Sequence, residues 1–406
     1  MTCNGSDAMA LQDRQPSQEE EEEEGSGGGG GGGATTYLAP EWPRDDALLA
    51  RLRRRVDGDA KDDDVEEIVS PILTFCPKLP VFTIRPEGEE YRSYFSFCPA
   101  VVPHLFYSRK TSRLDGACLF GSASSMGDRA SEGAILACLD NVLGVYAIHH
   151  FAKSVLTQKL VTTFSATVPV NFPVKLECWI EPAPDGKKTY FDVRGKLLCP
   201  TTGGTLVSAC GIFRPSQMEF PRISGKPKRS ILSELYGSPR RFPLERIQDT
   251  WPKAVLLAEG DLKEQGYAAM TPRPVTKDSI FDFAPATVPK LRLKSVWKKG
   301  KNEFCGVVHF SRLVGGPPGR VNGGSILSAF AHVFGSVRCS DALKLRKLDL
   351  TFKKGTKLGC FALVFCSSKE LHGACCAIDG KLLVLGEPNA ETCVASSVWR
   401  LPGSKM

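Results

Sequence analysis

The sequence lacks any stretch that could cross a membrane as a helix. No run reaches the ~18 uninterrupted apolar residues that a spanning helix requires, because Asp140, Asn141 and two histidines interrupt the most apolar segment. The N-terminus also lacks the basic-then-apolar layout of a secretion signal, and its acidity is unlike that of a transit peptide. These absences predict a chain with no membrane span and no cleaved leader.

The 15 cysteines form no CxxC pair and no His/Cys cluster with the spacing of metal ligands. Many lie in apolar surroundings, among them Cys118, Cys138, Cys178 and Cys360. An odd number of thiols in such positions of a large chain is typical of reduced intracellular cysteines. We therefore predict no disulfides, no structural zinc and no cofactor.

Charge is distributed unevenly along the 406 residues. Residues 1–70 contain 18 Asp and Glu against 7 Lys and Arg, a net charge of −11, so the remainder of a chain of net charge +7 carries +18. A basic body suits an anionic ligand or a nucleic acid. Because net charge is all that favours nucleic acid, we predict no nucleic-acid partner. An apolar content of 42% leaves room for two domains with cores.

The most apolar segment, SEGAILACLDNVLGVYAIHHF at residues 131–151, is predicted to be a buried helix. Its apolar side chains lie on nearly every side, and Asp140 is its one carboxylate after the first turn. At ~1.5 Å per residue such a helix is about 30 Å long. A carboxylate midway along a core helix is costly unless it is neutral, paired or used. Asp140 is therefore the first functional candidate.

A second segment repeats this pattern. Residues 322–335, NGGSILSAFAHVFG, open on a polar turn after the Gly/Pro approach GGPPGRV and continue as an apolar helix. Each helix precedes a β-rich run with Leu and Phe at matching offsets: Leu160 and Phe164, Leu348 and Phe352. Ser131 and Asn322 are 191 residues apart, so the repeat is one domain long. We predict an α+β fold in which antiparallel strands wrap a long helix, twice over.

The remaining segments define the predicted boundaries. Residues 1–36, with six consecutive glutamates and a Gly/Ser run, are predicted to be a disordered tail. The other predicted segments are a lead-in at 37–106 with a peripheral helix at 45–68, a first domain at 107–214, a basic linker at 215–280 with a helix near 230–236, a second domain at 281–402, and a tail at 403–406.

The motif GPPGRVNGGSI at residues 316–326 resembles the turn and helix of hot-dog thioesterases. The resemblance is to the branch with phenylacetyl-CoA and 4-hydroxybenzoyl-CoA enzymes and the mammalian thioesterase superfamily member proteins. That family has His-Gly-Gly-Ala at the turn and an Asp or Glu nine positions after the His. Asp140 lies nine residues after Ser131 in the first half. The resemblance covers 106–213 and 291–401, and it implies two hot-dog domains forming an intrachain pseudo-dimer that acts on acyl-CoA.

Hydrolysis of a thioester needs donors for the developing oxyanion and a base or nucleophile at the carbonyl carbon. Unpaired N–H groups at a helix start provide such donors, and glycines let a substrate approach the backbone. Nine residues of helix place the acid about 13.5 Å from its own turn. A working site must therefore join the turn of one domain to the acid of the other, as the resemblance implies.

The two halves depart from the family pattern in different ways. The first half keeps Asp140 and Thr157, but Glu132 stands in its turn, where it would repel an oxyanion. The second half keeps its turn but has Ala331 at the acid position and Leu345 where the first half has Thr157. One pairing therefore keeps everything except the His: Asp140, Thr157, Asn322, Gly323 and Gly324.

Roles for this set follow as hypotheses. The N–H of Gly323, helped by that of Gly324, would polarise the thioester carbonyl. Asp140 would activate water or attack directly, and Thr157 would orient the water. Asn322 can cap the helix but cannot carry a proton. Two simpler interpretations stay open: Asp140 as a hydrogen-bonded core residue, and the glycine pair as a plain tight turn.

Three functions fit these residues. An acyl-CoA thioesterase is the first, with Lys353 and Lys354 as candidate contacts for the CoA phosphates. A non-catalytic acyl-CoA-binding, lipid-binding or regulatory protein is the alternative, favoured by the missing His, Glu132 and Ala331. A hot-dog dehydratase or hydratase ranks third, because those enzymes rely on a His paired with an acid and the sequence offers no such His.

The chain ends in Ser404-Lys405-Met406, which resembles the Ser-Lys-Leu peroxisomal address. We therefore expect a cytoplasmic or peroxisomal protein. Hot-dog sheets often pair, so the resemblance also leaves a homodimer open.

Overall fold

The computed structural model describes the backbone of 36–38, 65–67, 81–83 and 101–108, together with residues 112–120, 125–126, 129–151, 155–170, 172–181, 190–216, 253–270, 291–310, 320–340, 342–371, 375–387 and 391–402. The helices are α1 (Glu132–Phe151), α2 (Lys253–Glu264) and α3 (Gly323–Val337). The strands are β1 (Thr36–Leu38), β2 (Val65–Glu67), β3 (Val81–Thr83), β4 (Val101–Ser108), β5 (Arg113–Phe120), β6 (Ser125–Met126), β7 (Arg129–Ala130), β8 (Val155–Phe164), β9 (Pro173–Glu181), β10 (Phe191–Leu198), β11 (Thr205–Pro215), β12 (Ala268–Met270), β13 (Leu291–Lys299), β14 (Glu303–Phe310), β15 (Lys344–Phe352), β16 (Phe361–Leu371), β17 (Cys375–Val384) and β18 (Glu391–Arg400).

Fourteen of these strands form one sheet, in the order β12-β13-β14-β16-β17-β18-β15-β8-β11-β10-β9-β5-β4-β2. Each described pairing is antiparallel. At the centre β8 pairs with β15, and Leu160 lies opposite Leu350. The sequence predicted antiparallel strands around long helices, and the antiparallel sheet with few helices is confirmed.

The sheet repeats one order of elements outward from its centre. On one side the order is β8-β11-β10-β9-β5-β4, and on the other β15-β18-β17-β16-β14-β13. Each series has one long helix before its central strand, α1 before β8 and α3 before β15. Finer details repeat too, because isolated bridges join Arg129 to Pro169 and Arg320 to Lys357. The same backbone framework therefore occurs twice.

The two long helices pack on the sheet and on each other. α1 is buried along most of its length, as its composition predicted. Glycines in the sheet make room for helix side chains: a Cβ on Gly195 would lie 2.8 Å from Leu143 Cδ2, and one on Gly380 2.8 Å from Phe334 Cε1. Since α1 and α3 also contact one another, the middle of one helix reaches the start of the other.

Several boundaries differ from the predicted ones. β4 pairs along its whole length with β5, so the sheet extends into the predicted lead-in. Val65–Glu67 is a strand paired with β4, where the end of a helix was predicted. The predicted linker contains α2 and β12, because α2 buries Val255 and Leu262 in a cluster that includes Trp297. Residues 1–35, 45–64, 230–236 and 403–406, which carry the other predicted segments, lie outside the described residues.

Two other expectations concern thiols and membrane helices. The cysteines in the described ranges, 12 in all, are free thiols, and seven of them are buried. The reduced state of the thiols stays a prediction from their apolar surroundings. Within the described ranges, no helix combines the length and apolar character needed to cross a bilayer.

Candidate functional site

The start of α3 is organised by Asn322. Its Oδ1 accepts a hydrogen bond of 2.8 Å from the Gly324 N–H, which makes Asn322 the N-cap of the helix. Such a cap stabilises a helix by about 1 kcal/mol. Its Nδ2 donates to Asn141 Oδ1 of α1 at 3.1 Å. Both ends of the Asn322 amide are therefore engaged, and they tie the start of α3 to the middle of α1.

Asp140 of α1 faces Gly323 across this contact. A Cβ built on Gly323 would lie 2.7 Å from Asp140 Oδ2 and 3.1 Å from Oδ1, so only glycine leaves room for the carboxyl group. The Asp140 residue is 6% exposed. Among the hydrogen bonds of the described residues, none has the Gly323 N–H as donor. An unpaired amide at a helix start thus lies beside a buried carboxyl group.

Thr157 reaches the same carboxyl because β8 contains a bulge. Leu160, Thr162 and Phe164 are buried at alternate positions of this strand, so regular alternation would turn Thr157 to the opposite face. The register with β11 shifts between Ile212 and Phe213, which leaves one extra residue in β8 before Leu160. Thr157 therefore faces inward, and its Oγ1 donates to Asp140 Oδ1 at 2.9 Å.

Burial sets the protonation of Asp140. Its pKa is raised from 3.8 to about 6, because desolvation by burial outweighs the hydrogen bonds from the Thr157 hydroxyl and the Gly324 N–H, which lower the pKa. At neutral pH the group is mostly a carboxylate, and it is a stronger base than an exposed aspartate. A pKa near the operating pH suits a group that both accepts and returns a proton.

The two glycines of the turn have different surroundings. A Cβ on Gly324 would lie 2.8 Å from the Cα of Ala137, so this glycine allows the two helices to cross closely. Its N–H is taken by Asn322 and Asp140. The Gly323 N–H has no such partner, which leaves it as the stronger candidate for an oxyanion donor. The Gly324 N–H is therefore a weaker candidate for helping Gly323 to polarise a carbonyl group than the sequence suggested.

The equivalent contact between the two helices, the start of α1 against the middle of α3, has a different composition. Ser131 Oγ accepts from the Ala134 N–H at 3.2 Å and caps α1, and Glu132 forms an ion pair of 3.3 Å with Arg129. Ala331 and Leu345 are buried at the positions equivalent to Asp140 and Thr157. α3 contributes no carboxyl group here, as its sequence predicted.

Two lysines predicted to contact the ligand form ion pairs, and two residues near the site were not predicted. Lys353 and Lys354 follow β15, about half exposed, and pair with Glu391 and Glu387. Sequence reasoning gave Asn141 no role, although its position beside Asp140 was a signal. It also missed Ser325, whose buried Oγ has no hydrogen-bond partner among the described residues.

Replacing Thr157 by valine tests the positioning of Asp140. Valine keeps the shape but removes the donor that lowers the pKa of Asp140, so the pKa should rise above about 6. We expect any reaction that uses Asp140 as a base to slow about tenfold and its pH profile to move to higher pH. Thr157→Ser should restore both properties. A tenfold loss with an unmoved pH profile would point to packing alone.

No protein-family model matches the chain, and no curated protein matches its sequence. Solved structures with similar folds include a 12:0-ACP thioesterase from Umbellularia californica, 12% identical over 71% of this chain and 94% of that chain, with a TM-score of 0.41. An acyl-CoA thioesterase II from Mycobacterium marinum is 13% identical over 74% and 96%, with a TM-score of 0.40. A hot-dog protein from Alicyclobacillus acidocaldarius is 9% identical over 72% and 94%, with a TM-score of 0.43. Likeness at this level assigns no activity.

Proposed function

We propose that this protein hydrolyses an acyl-CoA thioester at one composite site between two hot-dog domains. The observation that carries the proposal is the contact of the buried Asp140 carboxyl with Gly323, joining the middle of α1 to the start of α3. The repeated order of strands supports the two-domain arrangement. The family branch rests on the sequence motif at the start of α3.

The proposed reaction uses the Gly323 N–H, Asp140, Thr157 and a water molecule. The thioester carbonyl oxygen would accept from the Gly323 N–H, and the α3 dipole would stabilise the developing negative charge. The Asp140 carboxylate would take a proton from the attacking water, which Thr157 helps to orient. The C–S bond then breaks, and Asp140 returns the proton to the departing CoA thiolate. The products are a carboxylic acid and CoA.

The rate should depend on pH through Asp140. The carboxylate is the active form and its pKa is about 6, so CoA release should rise as pH increases through about 6. The measurement is kcat/KM against pH for an acyl-CoA that is stable over that range. A profile that is flat across this interval would contradict the role of Asp140 as the base.

The alternative is a protein that binds acyl-CoA without hydrolysing it. It is favoured by Asn322, which stands in the family's His position and whose amide is hydrogen-bonded to Gly324 and Asn141. Two measurements separate the functions: CoA release from a panel of acyl-CoAs, and thermal stabilisation by non-hydrolysable analogues. Release supports the enzyme, and stabilisation without release supports the binding protein.

Assembly and location complete the proposal. The outer face at the sheet centre carries an ion pair of 3.0 Å between Lys159 and Asp349, so a homodimer through this face would have to bury charge. We therefore propose that one chain suffices for activity. The proposed location is the peroxisome or cytoplasm, on the basis of the last three residues alone.

A further inference from the structure

Two cysteines join the C-terminal end of α3 to the start of β17. The backbone N–H of Arg338 donates to Phe334 O at 3.0 Å and closes α3, and Cys339 is the next residue along the chain. The Cys339 backbone N–H donates to the sulfur of Cys376 in β17, and the two thiols are themselves hydrogen-bonded. Two sulfur atoms that are 37 positions apart in the sequence are therefore in contact.

The packing around this pair places the two residues together independently of their thiols. Cys376 lies directly opposite Trp399 in the pairing of β17 with β18, and both residues are buried. The guanidinium group of Arg338 lies 5.5 Å from the centre of the Trp399 ring, and its Nη1 donates to Gly335 O at 2.9 Å. Because Arg338 immediately precedes Cys339, this packing holds Cys339 beside Cys376.

Solvent exposure distinguishes this pair from a buried one. Of the 12 free cysteines in the described ranges, Cys339 alone is exposed. Its partner Cys376 is buried, and desolvation raises the pKa of the Cys376 thiol to about 11. The sulfur atoms of Cys118 and Cys138 also touch, at 3.6 Å, but both of these residues are buried. A dissolved oxidant therefore meets one sulfur of the first pair and neither sulfur of the second.

We propose that Cys339 and Cys376 form a reversible disulfide when the protein meets a hydroperoxide. The Cys339 sulfur attacks the terminal oxygen of the hydroperoxide and the O–O bond breaks, which leaves a sulfenic acid on Cys339. The proton of the Cys339 thiol passes to the departing alkoxide. The Cys376 sulfur then attacks the sulfenic sulfur, and the S–O bond breaks to release water that carries the Cys376 proton. Two thiols and one hydroperoxide thus give a disulfide, an alcohol and water.

The cross-link would tie the end of α3 to the sheet. It closes a loop that contains β15 and β16, and a closed loop restricts the unfolded chain more than the folded one. Gly323 lies at the other end of this 15-residue helix, about 22 Å away at ~1.5 Å per residue. The disulfide therefore stabilises the fold without contacting the proposed hydrolase site.

The test exposes the full chain to hydrogen peroxide and then maps its peptides by mass spectrometry after alkylation of the remaining thiols. We expect a peptide linked through Cys339 and Cys376 that dithiothreitol separates, and a melting temperature about 5 °C above that of the reduced protein. Cys339→Ser and Cys376→Ser should each abolish the link and the shift. In Cys376→Ser, dimedone should trap Cys339 as the sulfenic acid.

The matched control is Cys375→Ser, which should keep both the link and the shift. Cys375 is the neighbour of Cys376 in β17, but successive residues of a strand point to opposite faces. Loss of the link in this control would overturn the assignment of the pair. So would oxidation of Cys118 and Cys138 before Cys339, since it would contradict the argument from exposure.

Three further results would count against the disulfide. These are a link from Cys339 to a second chain, a parent protein in which Cys339 goes directly to the sulfonic acid, and a linked protein that melts below the reduced one. The last would mean that the sulfurs meet only in a distorted fold. Since none of these measurements depends on CoA release, the result is independent of the hydrolase proposal.

Discussion

Replacing Asp140 by asparagine is expected to reduce CoA release about a thousandfold. The amide cannot take a proton from water, although it keeps the size of the carboxyl group. The oxygen of the asparagine amide can still accept the hydrogen bond from the Thr157 hydroxyl, which in the parent protein donates to Asp140 Oδ1 at 2.9 Å. The loss should therefore appear in kcat rather than in binding of a non-hydrolysable acyl-CoA.

The same change should not destabilise the fold at neutral or higher pH. The folded-state pKa of Asp140 is raised from 3.8 to about 6, so its contribution to stability is present at low pH and is lost as pH rises through about 6. Two pKa units correspond to on the order of 3 kcal/mol. An amide avoids this cost, although its NH2 would oppose the Gly324 N–H and offset part of the gain.

Thermal unfolding of both proteins at about pH 8 and about pH 4 checks this expectation. The variant should be at least as stable as the parent at the higher pH and show no advantage at the lower one. The matched control is Asp349→Asn on the outer face of the sheet, which should leave CoA release unchanged. Full activity in the Asp140 variant would contradict the role of Asp140 as the base. A large loss of stability at both pH values would show that Asp140 has a structural role.

Replacing Gly323 by alanine is expected to reduce kcat/KM at least about a hundredfold. The new methyl group would lie 2.7 Å from Asp140 Oδ2 and displace the carboxyl group from the helix start. Gly323 begins a helix and does not have a positive φ, so alanine fits its backbone. Since only the end of one side chain must move, the melting temperature should change little.

Two glycines of the same chain serve as comparisons. Gly260 of α2 has nothing within 4 Å of its Cβ position, so Gly260→Ala should keep full activity and stabilise the protein by up to about 1 kcal/mol. Gly324→Ala would press on the Ala137 backbone and should lower the melting temperature. The result that would contradict the site is full activity in Gly323→Ala together with an unshifted pH profile.

Much of this architecture could be predicted because local patterns determine it. An apolar helix interrupted by Asp140 had to be buried, and a repeat of 191 residues required two copies of one element order. α2 escaped prediction because its apolar side chains pack on an outer face of the sheet that only the folded structure defines. The strand β4 was not predicted for a similar reason. It forms because it pairs with β5, and its own sequence has no clear strand pattern.

The sequence by itself determined which residues could carry the chemistry: an acid within a core helix, a glycine turn before a second helix, and the loss of each in the opposite copy. Only the tertiary structure decided that Thr157 turns inward at a bulge and that Asn322 binds Asn141. These contacts join residues of different helices and strands. Spacing along a chain specifies faces and periods, whereas distances between elements depend on how the whole core packs.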